Sequence, residues 1–268
     1  MLILLPPSEG KADPAAGDRP PLDLGALSFP ELTPARAEAV EALTALCAGP
    51  DDTALAVLGL TAGQVGELAR DRALAASPAL PAAELYTGVL YDALGLGGLL
   101  ADPATADRTR AAVVIFSGLW GVLRVDDPVP PYRLAMGVKL PPLGPLAGFW
   151  RPALRAALAE PSGGRLLVDM RSAPYAAAWR PEAAARERHV AVRVLRERRV
   201  RRKVTRSVVS HMAKATRGAV AGALLRTGAA PGTPKDLAEA VNDLGYRAEL
   251  TEPPRPGASA VLDVIVTD

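Results

Sequence analysis

The sequence predicts an α/β fold in a single compact domain over residues 1–268, with a mixed α+β arrangement as the alternative. Short apolar runs that end in polar loops alternate with stretches whose apolar residues recur every three or four positions. The 268 residues are 49% hydrophobic, which is enough to build one sizeable core. No internal repeat is visible. We therefore expect a central mixed sheet with helices packed against it, a basic β-hairpin and a long ordered Pro-rich loop.

The first half of the chain predicts two buried strands separated by helices. MLILL at 1–5 is an apolar run stopped by Pro6, which is typical of a short strand, and an extended loop follows to Pro30. Helical spacing is then found from Pro34 to Gly49, at 52–58, at 62–75, and at 82–100 around Tyr86. RAAVVIFSG at 110–118 predicts the second buried strand, which ends at Ser117.

The second half begins with residues 119–150, whose many prolines predict a long ordered loop rather than regular structure. The elements predicted after it are a helix at 152–160, a strand at 165–170 that ends in a loop at 171–175, a β-hairpin, a helix at about 208–226 stopped by Gly228, a helix that starts with Pro234, and a terminal strand at 261–268. In the hairpin, residues 189–195 alternate with period two, Glu197 to Arg199 are predicted to form the turn, and residues 200–204 return.

Composition excludes several classes of protein. The single cysteine, Cys47, rules out an intrachain disulfide framework, and the two histidines, His189 and His211, are too few for a typical zinc site. We expect no metal and no other cofactor. The N-terminus has no basic region before Pro6, and no apolar run approaches the roughly 18 residues that span a bilayer. A cytoplasmic protein without a signal peptide or a membrane span is the expectation.

Positive charge is concentrated in one segment. The net charge of the chain is +2, but residues 189–217 hold ten basic residues and one acid, Glu197. On the predicted helix, Ser210, Lys214 and Arg217 fall at i, i+4 and i+7 on one face. A cationic stripe beside a β-ribbon suits the phosphates of a nucleic acid, while a solvated or salt-bridged face is the plainer interpretation. The basic residues are Arg193, Arg196, Arg198, Arg199, Arg201, Arg202, Lys203, Arg206, Lys214 and Arg217.

The loop Ser8–Lys11, which follows the first strand, is a candidate anion site. It does not match a phosphate loop, because Leu5 stands where the first glycine belongs and Ala12 follows the lysine. Its backbone N–H groups and the ammonium of Lys11 still suit an anion, and a surface turn with a solvated lysine is the alternative. No G-x-S-x-G motif is present, and a Ser-His-Asp triad would have to use a histidine in or beside the basic segment.

Seven strings, in order along nearly the whole chain, together resemble one bacterial family. They are MLILLPPSEGK at the N-terminus, ELYTG around Tyr86, SGLWGVLRVDDPVPPYRLAMGVKL at 117–140, GFW at 148–150, VDMRSAPY at 168–175, SHMAKATRG at 210–218 and NDLGY at 242–246. The sequence is similar to the YaaA family of peroxide stress proteins. The resemblance implies an α/β fold with a cleft lined by basic residues, binding of double-stranded DNA, and protection from hydrogen peroxide by restraining iron-driven damage. No catalysed reaction follows from the resemblance.

The 117–140 string carries most of the resemblance and also its main departures. Trp120 replaces a tyrosine of the family pattern, Val125 a proline and Ala135 a glutamate. The residues that match there are Ser117, Gly118, Leu119, Gly121, Leu123, Arg124, Asp127, Pro131, Tyr132, Arg133, Leu134, Met136 and Gly137, and in the later helix Ser210, Lys214, Arg217 and Gly218 match.

Two functional hypotheses follow. The first is a cytosolic peroxide-stress protein whose cationic cleft binds duplex DNA through its phosphates. The second is an enzyme acting on a small anionic or nucleotide-like substrate in the same cleft, where Ser8, Glu9 or Tyr132 would transfer a proton. The residues expected to bind DNA or an anion are Ser8, Lys11, Arg124, Arg133, Arg201, Arg202, Lys203, Ser210, Lys214 and Arg217. The sequence leaves the oligomeric state open.

Geometry separates the two hypotheses. An enzyme requires one enclosed pocket, whereas a DNA-binding protein requires an open groove wide enough for a duplex. The strands that end near Leu5 and Ser117 would, if adjacent and parallel, place their polar loops side by side. A cluster of cations at that edge is expected to lower the pKa of Tyr132. The residues expected to converge there are Glu9, Lys11, Arg124, Tyr132 and Lys214.

Overall fold

A mixed β-sheet forms the centre of the molecule, flanked by helices. The computed structural model describes residues 1–14, 19–200, 203–208, 210–253 and 258–267. The strands in these ranges are β1 (Leu2–Leu5), β2 (Leu80–Pro81), β3 (Val113–Ser117), β4 (Gly121–Leu123), β5 (Pro128–Val129), β6 (Lys139–Leu140), β7 (Gly144–Pro145), β8 (Leu167–Asp169), β9 (His189–Val200), β10 (Lys203–Val208), β11 (Arg247–Thr251) and β12 (Ala260–Thr267).

The helices account for most of the remaining chain. They are α1 (Thr33–Ala48), α2 (Asp51–Leu58), α3 (Val65–Arg72), α4 (Ala82–Leu85), α5 (Val89–Leu94), α6 (Leu96–Ala101), α7 (Pro103–Ala112), α8 (Leu146–Ala157), α9 (Ala159–Ser162), α10 (Ala173–Ala178), α11 (Ala183–Arg186), α12 (Ser210–Thr227) and α13 (Pro234–Asp243). Among the described residues, no helix combines the length and the apolar character that a membrane crossing needs.

The central sheet has the strand order β11-β12-β9-β8-β1-β3-β4, and β10 pairs with β9. Strand β1 lies between β3 and β8 and is parallel to both. Leu2 to Leu5 are fully buried, as is typical of a strand covered on both faces, and this explains the unbroken apolar run in the sequence. The strands β4 and β11 pair antiparallel with β3 and β12. The predicted α/β class and central mixed sheet are therefore confirmed.

The carboxyl ends of β1, β3 and β8 meet at one edge of the sheet. Because the three strands are parallel, the loops after Leu5, Ser117 and Asp169 lie side by side. Strand β8 pairs with the first residues of β9, and β10 pairs with β9 farther along its length. The hairpin formed by β9 and β10 therefore projects from this same edge.

The predicted helices at 34–49, 52–58 and 62–75 are confirmed by α1, α2 and α3, but the 82–100 region is interrupted. Tyr86 lies outside the helices and forms an isolated bridge with Lys11. Gly88, two residues later, has a φ of 99°, a conformation that a side chain would disfavour. The competing pairing with the N-terminal loop explains why Tyr86 is not helical.

The predicted long loop at 119–150 contains short strands and ends earlier than expected. Helix α8 begins at Leu146 rather than at residue 152. Trp150 and Leu154, four positions apart, are fully buried on one face of α8, and this burial fixes the helix although Pro152 removes one of its hydrogen bonds. The predicted loop at 171–175 is also partly wrong, because α10 begins at Ala173.

The hairpin turn does not lie at residues 197–199 as predicted. Strand β9 continues to Val200, and β12 pairs with it as far as Glu197, so the backbone there is held extended by a neighbour that the local sequence does not reveal. Helix α7 and strand β11 were not predicted from the sequence. The hairpin itself, the helix that ends before Gly228 and the terminal strand are confirmed.

Helices α12 and α5 approach each other through two glycines. A Cβ at Gly218 would lie 2.0 Å from the carbonyl oxygen of Leu90, and one at Gly222 would lie 2.5 Å from that of Leu94. Only residues without side chains permit this contact. It fixes α12 beside the segment of α5 that faces the candidate site.

Candidate functional site

A cavity of about 530 Å³ opens at the carboxyl edge of the sheet. It is lined by the loop from Pro6 to Lys11 after β1, by the start of α5, by residues 132–137, by the 172–175 segment after β8, and by Lys214 and Arg217 of α12. Parallel strand ends form two of these walls, which is the usual location of ligand sites in α/β sheets.

The cavity is strongly cationic. Four of its lining residues are basic, Lys11, Arg133, Lys214 and Arg217, and of the described residues that line it one is acidic, Glu9. The Arg133 guanidinium lies 3.2 Å from the Glu9 carboxylate, whose side chain is 77% exposed. Because that pair is at the rim, it holds Arg133 only loosely. The remaining positive charge suits an anionic ligand.

Lys11 lies in the wall of the cavity with its ammonium against aromatic rings. Its Nζ donates a hydrogen bond to the backbone oxygen of Ser8 at 2.9 Å and is 4.3 Å from the ring centroid of Tyr132. The backbone around it is fixed by pairing with the segment at Tyr86. Burial, followed by the nearby charge of Arg133, lowers the pKa of Lys11 to about 8.

Asp71 is a fully buried carboxyl beneath the cavity. One of its oxygens accepts the backbone N–H of Arg133 at 2.8 Å, and the Cys47 thiol lies 3.9 Å from the other. Burial raises the pKa of Asp71 to about 7, against the opposing effects of the Arg133 N–H and Lys11. Asp71 was not among the site residues predicted from the sequence. An acid spaced three positions from Leu68 and Leu74, both fully buried, is the signal that could have found it.

Tyr132 is part of a buried chain of hydroxyl groups. Its oxygen is 2.6 Å from the Ser117 Oγ and 2.8 Å from the hydroxyl oxygen of Tyr86. The backbone N–H groups of Leu119 and Trp120 both donate to the Ser117 Oγ, so the proton of Ser117 is directed at Tyr132.

The expected lowering of the pKa of Tyr132 is wrong. Burial raises the pKa well above its ordinary value, and the hydroxyl is engaged by Ser117 and Tyr86. What Tyr132 presents to Lys11 is its ring face. Cations near an aromatic face do not stabilise the charge of the phenolate oxygen, so they do not lower the pKa of Tyr132.

The wall after β8 is held by a buried ion pair. Two guanidinium nitrogens of Arg171 donate to the Asp169 carboxylate at 2.8 and 2.7 Å, and His189 lies 3.0 Å from it. Burial raises the pKa of Asp169, but Arg171 and His189 more than offset this and hold it below its usual range. Arg171 also donates to the backbone oxygen of Tyr175 at 3.1 Å, which fixes the segment that lines the cavity.

The structure brings together most of the predicted site residues. Those that line the cavity are Ser8, Glu9, Lys11, Tyr132, Arg133, Lys214 and Arg217. Arg201 and Arg202 lie outside the described residues. Lys203 is in β10 and Ser210 begins α12, but their side chains are not described.

Arg124 does not share the cavity, so its predicted place there is wrong. Its guanidinium lies 3.4 and 3.5 Å from the backbone oxygens of Ala111 and Val113, at the amino end of β3. Strand β4 is antiparallel to β3 and pairs Leu123 with Ile115. The chain therefore returns toward the opposite edge of the sheet before it reaches Arg124.

Part of the positive charge of the hairpin is neutralised. Arg193 forms an ion pair with Asp263 at 2.6 Å, and Arg206 pairs with Glu197 at 2.9 Å and with Glu249 at 2.7 Å. These acids come from the neighbouring strands β11 and β12 and from β9 itself. Among the described basic residues of the segment, Arg193 and Arg206 are therefore already paired with carboxylates.

Among the described residues, no group of three or more His, Cys, Asp or Glu side chains could hold a metal ion.

Comparisons with known proteins match nearly the whole chain to one family. A UPF0246 protein of Streptomyces coelicolor is 48% identical over 266 residues, which cover 99% of this chain and 98% of that protein. A UPF0246 protein of Corynebacterium efficiens is 38% identical over 256 residues, covering 94% of this chain and 96% of that protein. The family model described as peroxide stress protein YaaA matches residues 1–251, and the chain belongs to that family.

Proposed function

We propose that this protein acts in the peroxide stress response by binding a small phosphate-bearing ligand, of about the size of a nucleotide, in the cavity at the carboxyl edge of its sheet. The observation that carries the proposal is the convergence of Lys11, Arg133, Lys214 and Arg217, from distant parts of the chain, on one cavity of about 530 Å³. Guanidinium and ammonium groups are the usual protein ligands of phosphate.

The size of the cavity favours a small ligand over a duplex at this position. Sites for small molecules typically have volumes of about 300–1,000 Å³. Reading a duplex requires an element that enters a groove about 12 Å wide, or an open surface that follows the backbone. The walls from the Pro6–Lys11 loop, α5 and α12 enclose the cavity on several sides.

Calorimetric titration of the protein with adenosine monophosphate and with pyrophosphate tests this proposal. Lys214→Gln and Arg217→Gln each remove one positive charge from the lining, and because a hydrogen bond to a charged group contributes about 1.5–3 kcal/mol, each is expected to weaken binding about tenfold or more. Lys235→Gln is the matched control, since that side chain is 80% exposed on α13, away from the cavity. Absence of binding to both probes, or equal affinity in all variants, would contradict the proposal.

Duplex DNA binding at the rim is the second candidate function. It is favoured by the position of the basic hairpin, which projects from the same sheet edge as the cavity, and by the exposed Lys214 at the cavity margin. An electrophoretic shift of duplexes with unrelated sequences tests it. Reversing Arg201, Arg202 and Lys203 to Glu is expected to weaken binding to all of them alike, since phosphate contacts carry no sequence information.

A further inference from the structure

We infer that Lys11 is a nucleophilic amine that forms an imine with the aldehyde carbon of a phosphate-bearing ligand in the cavity. The inference rests on the proposed function, because it names the chemistry of the same ligand. It extends that function from binding to covalent catalysis, in which lysine imines activate carbonyl compounds.

The surroundings of Lys11 offer its nitrogen few hydrogen-bond acceptors. Within the described part of the chain, its Nζ has one hydrogen-bond acceptor, the backbone oxygen of Ser8, and no carboxylate within ion-pair distance. A protonated lysine carries three N–H donors, so this environment leaves the ammonium poorly satisfied. Two ring faces, those of Tyr132 at 4.3 Å and Tyr86 at 5.7 Å, complete the contacts.

One nearby charge, the guanidinium of Arg133, also favours the neutral form of Lys11. Arg133 is the nearby cation, whereas the acids that act on Lys11, Asp71, Glu67 and Glu9, oppose it less than burial does. With a pKa of about 8, about a quarter of Lys11 is neutral at pH 7.5, against about one in a thousand for an ordinary lysine. Desolvation and a neighbouring cation are the two usual means by which proteins activate a lysine.

The remaining cations of the cavity supply the recognition. Lys214 and Arg217 line the same cavity from α12, and Arg133 lines it from the 132–137 segment. An aldehyde that carries a phosphate can place its anionic group against these side chains and its carbonyl carbon at Lys11. Binding of the phosphate would then raise the effective concentration of the carbonyl at the amine.

The reaction balances without an oxidant or a reductant. The lone pair of neutral Nζ forms a bond to the carbonyl carbon, the C=O π pair moves to oxygen, and a proton lost by nitrogen protonates that oxygen. The C–O bond then breaks, and the oxygen leaves as water with a second proton from nitrogen. The net change is amine plus aldehyde to imine plus water.

Reductive trapping on the wild-type protein tests the inference. Pyridoxal 5′-phosphate at equimolar concentration serves as the probe, borohydride reduces any imine, and peptide mass spectrometry locates the adduct among the five lysines of the chain. We expect Lys11 to be labelled at least tenfold faster than Lys139 or Lys235. With pyridoxal, which lacks the phosphate, the preference for Lys11 over Lys235 is expected to be at least tenfold smaller than with the phosphate ester.

The pH profile and two variants complete the test. The rate of labelling should rise to a plateau above about pH 8, whereas a model lysine amide should continue to rise toward its own pKa of about 10.4. Lys11→Arg should lose the imine absorbance, whereas Lys235→Arg should keep it. Binding of adenosine monophosphate without selective labelling of Lys11 would overturn the inference and leave the proposed function intact. Labelling of Lys11 without any binding of adenosine monophosphate or pyrophosphate would overturn the proposed function.

Discussion

Tyr132 illustrates how the same residue acquires a different role once its neighbours are known. From the sequence it was a candidate for proton transfer, because several cations were expected around it. In the structure, Ser117 and Tyr86 engage its hydroxyl and burial keeps its proton in place, while its ring face supports Lys11. Pattern and resemblance could identify Tyr132 as a site residue, but which of its atoms meets the cavity depends on packing that no local pattern encodes.

Tyr132→Phe tests this assignment. The change keeps the ring beneath Lys11 and removes the hydroxyl, which leaves Ser117 and Tyr86 with an unsatisfied buried group. We expect the free energy of unfolding in urea to fall by about 1–3 kcal/mol, with little change in affinity for adenosine monophosphate. Tyr246→Phe is the control, since no hydrogen bond from its hydroxyl is found among the described residues. A large loss of affinity with unchanged stability would contradict the structural role.

The raised pKa of Asp71 predicts how the stability of the protein depends on pH. Its carboxyl has a pKa of about 7 in the folded protein and an ordinary value near 3.9 in the unfolded chain, so between these values the folded state holds a proton that the unfolded state lacks. Stability from this group is therefore greatest below about pH 4 and is lost as the pH rises to about 7. Lys11 acts at higher pH, where its lowered pKa makes stability rise between about pH 8 and 10.4.

Asp71→Asn removes the first of these effects while keeping an oxygen for the N–H of Arg133. The variant is expected to gain stability relative to the wild type as the pH is raised from 4.5 to 8, by on the order of 1–4 kcal/mol. Urea unfolding at several pH values measures this difference, with Asp243→Asn, an exposed residue at the end of α13, as the control. A difference between Asp71→Asn and wild type that does not vary with pH would show that Asp71 is ionised throughout.

Among the elements, the approach of α12 to α5 is what holds Lys214 and Arg217 at the cavity. In Gly218→Ala the new methyl group would meet the carbonyl oxygen of Leu90, so the helices must separate. We expect a loss of about 1–3 kcal/mol in the free energy of unfolding, together with weaker binding of adenosine monophosphate. Gly97→Ala on α6 is the matched control, because nothing lies within 4 Å of its Cβ and the helix should gain about 0.5–1 kcal/mol. Equal stability in both variants would contradict the close contact.

The predictability of each element follows from where its stabilising contacts come from. Strands β1 and β3 were predictable because burial on both faces leaves an unbroken apolar run in the sequence. The length of β9 was not, because its extension to Val200 depends on pairing with β12, far along the chain. The position of Arg124 could not be predicted for a similar reason. The antiparallel pairing of β4 with β3 decides to which sheet edge the chain returns.

For the whole molecule, the same limitation applies to charge. The sequence shows ten basic residues with one acid between positions 189 and 217, which suggests a broad phosphate-binding surface. Folding places Asp263 against Arg193, and Glu249 against Arg206. Each of these ion pairs must open before its guanidinium can neutralise a phosphate. The surface available to a polyanion is therefore smaller than the count of charges indicates.

The difference between paired and unpaired basic residues predicts the salt dependence of duplex binding, which we propose at the rim of the cavity. Log affinity should fall linearly with log salt by about 0.9 per phosphate neutralised. Lys214→Gln, at an exposed position on the cavity margin, should reduce that slope by about one, because one counterion fewer is released. Arg193→Gln should leave the slope nearly unchanged, because Asp263 already neutralises that guanidinium. Fluorescence anisotropy of a labelled duplex at several potassium chloride concentrations measures all three slopes.

The comparison of the two variants is more informative than the slope of the wild type alone. Lys214 and Arg193 each carry one positive charge in the same basic segment, so a model based on sequence charge expects equal losses from both. The ion pair with Asp263 predicts unequal losses. An equal decrease in slope would mean that the Arg193–Asp263 pair opens when DNA binds, and affinity that does not depend on salt would exclude phosphate contacts as the basis of binding.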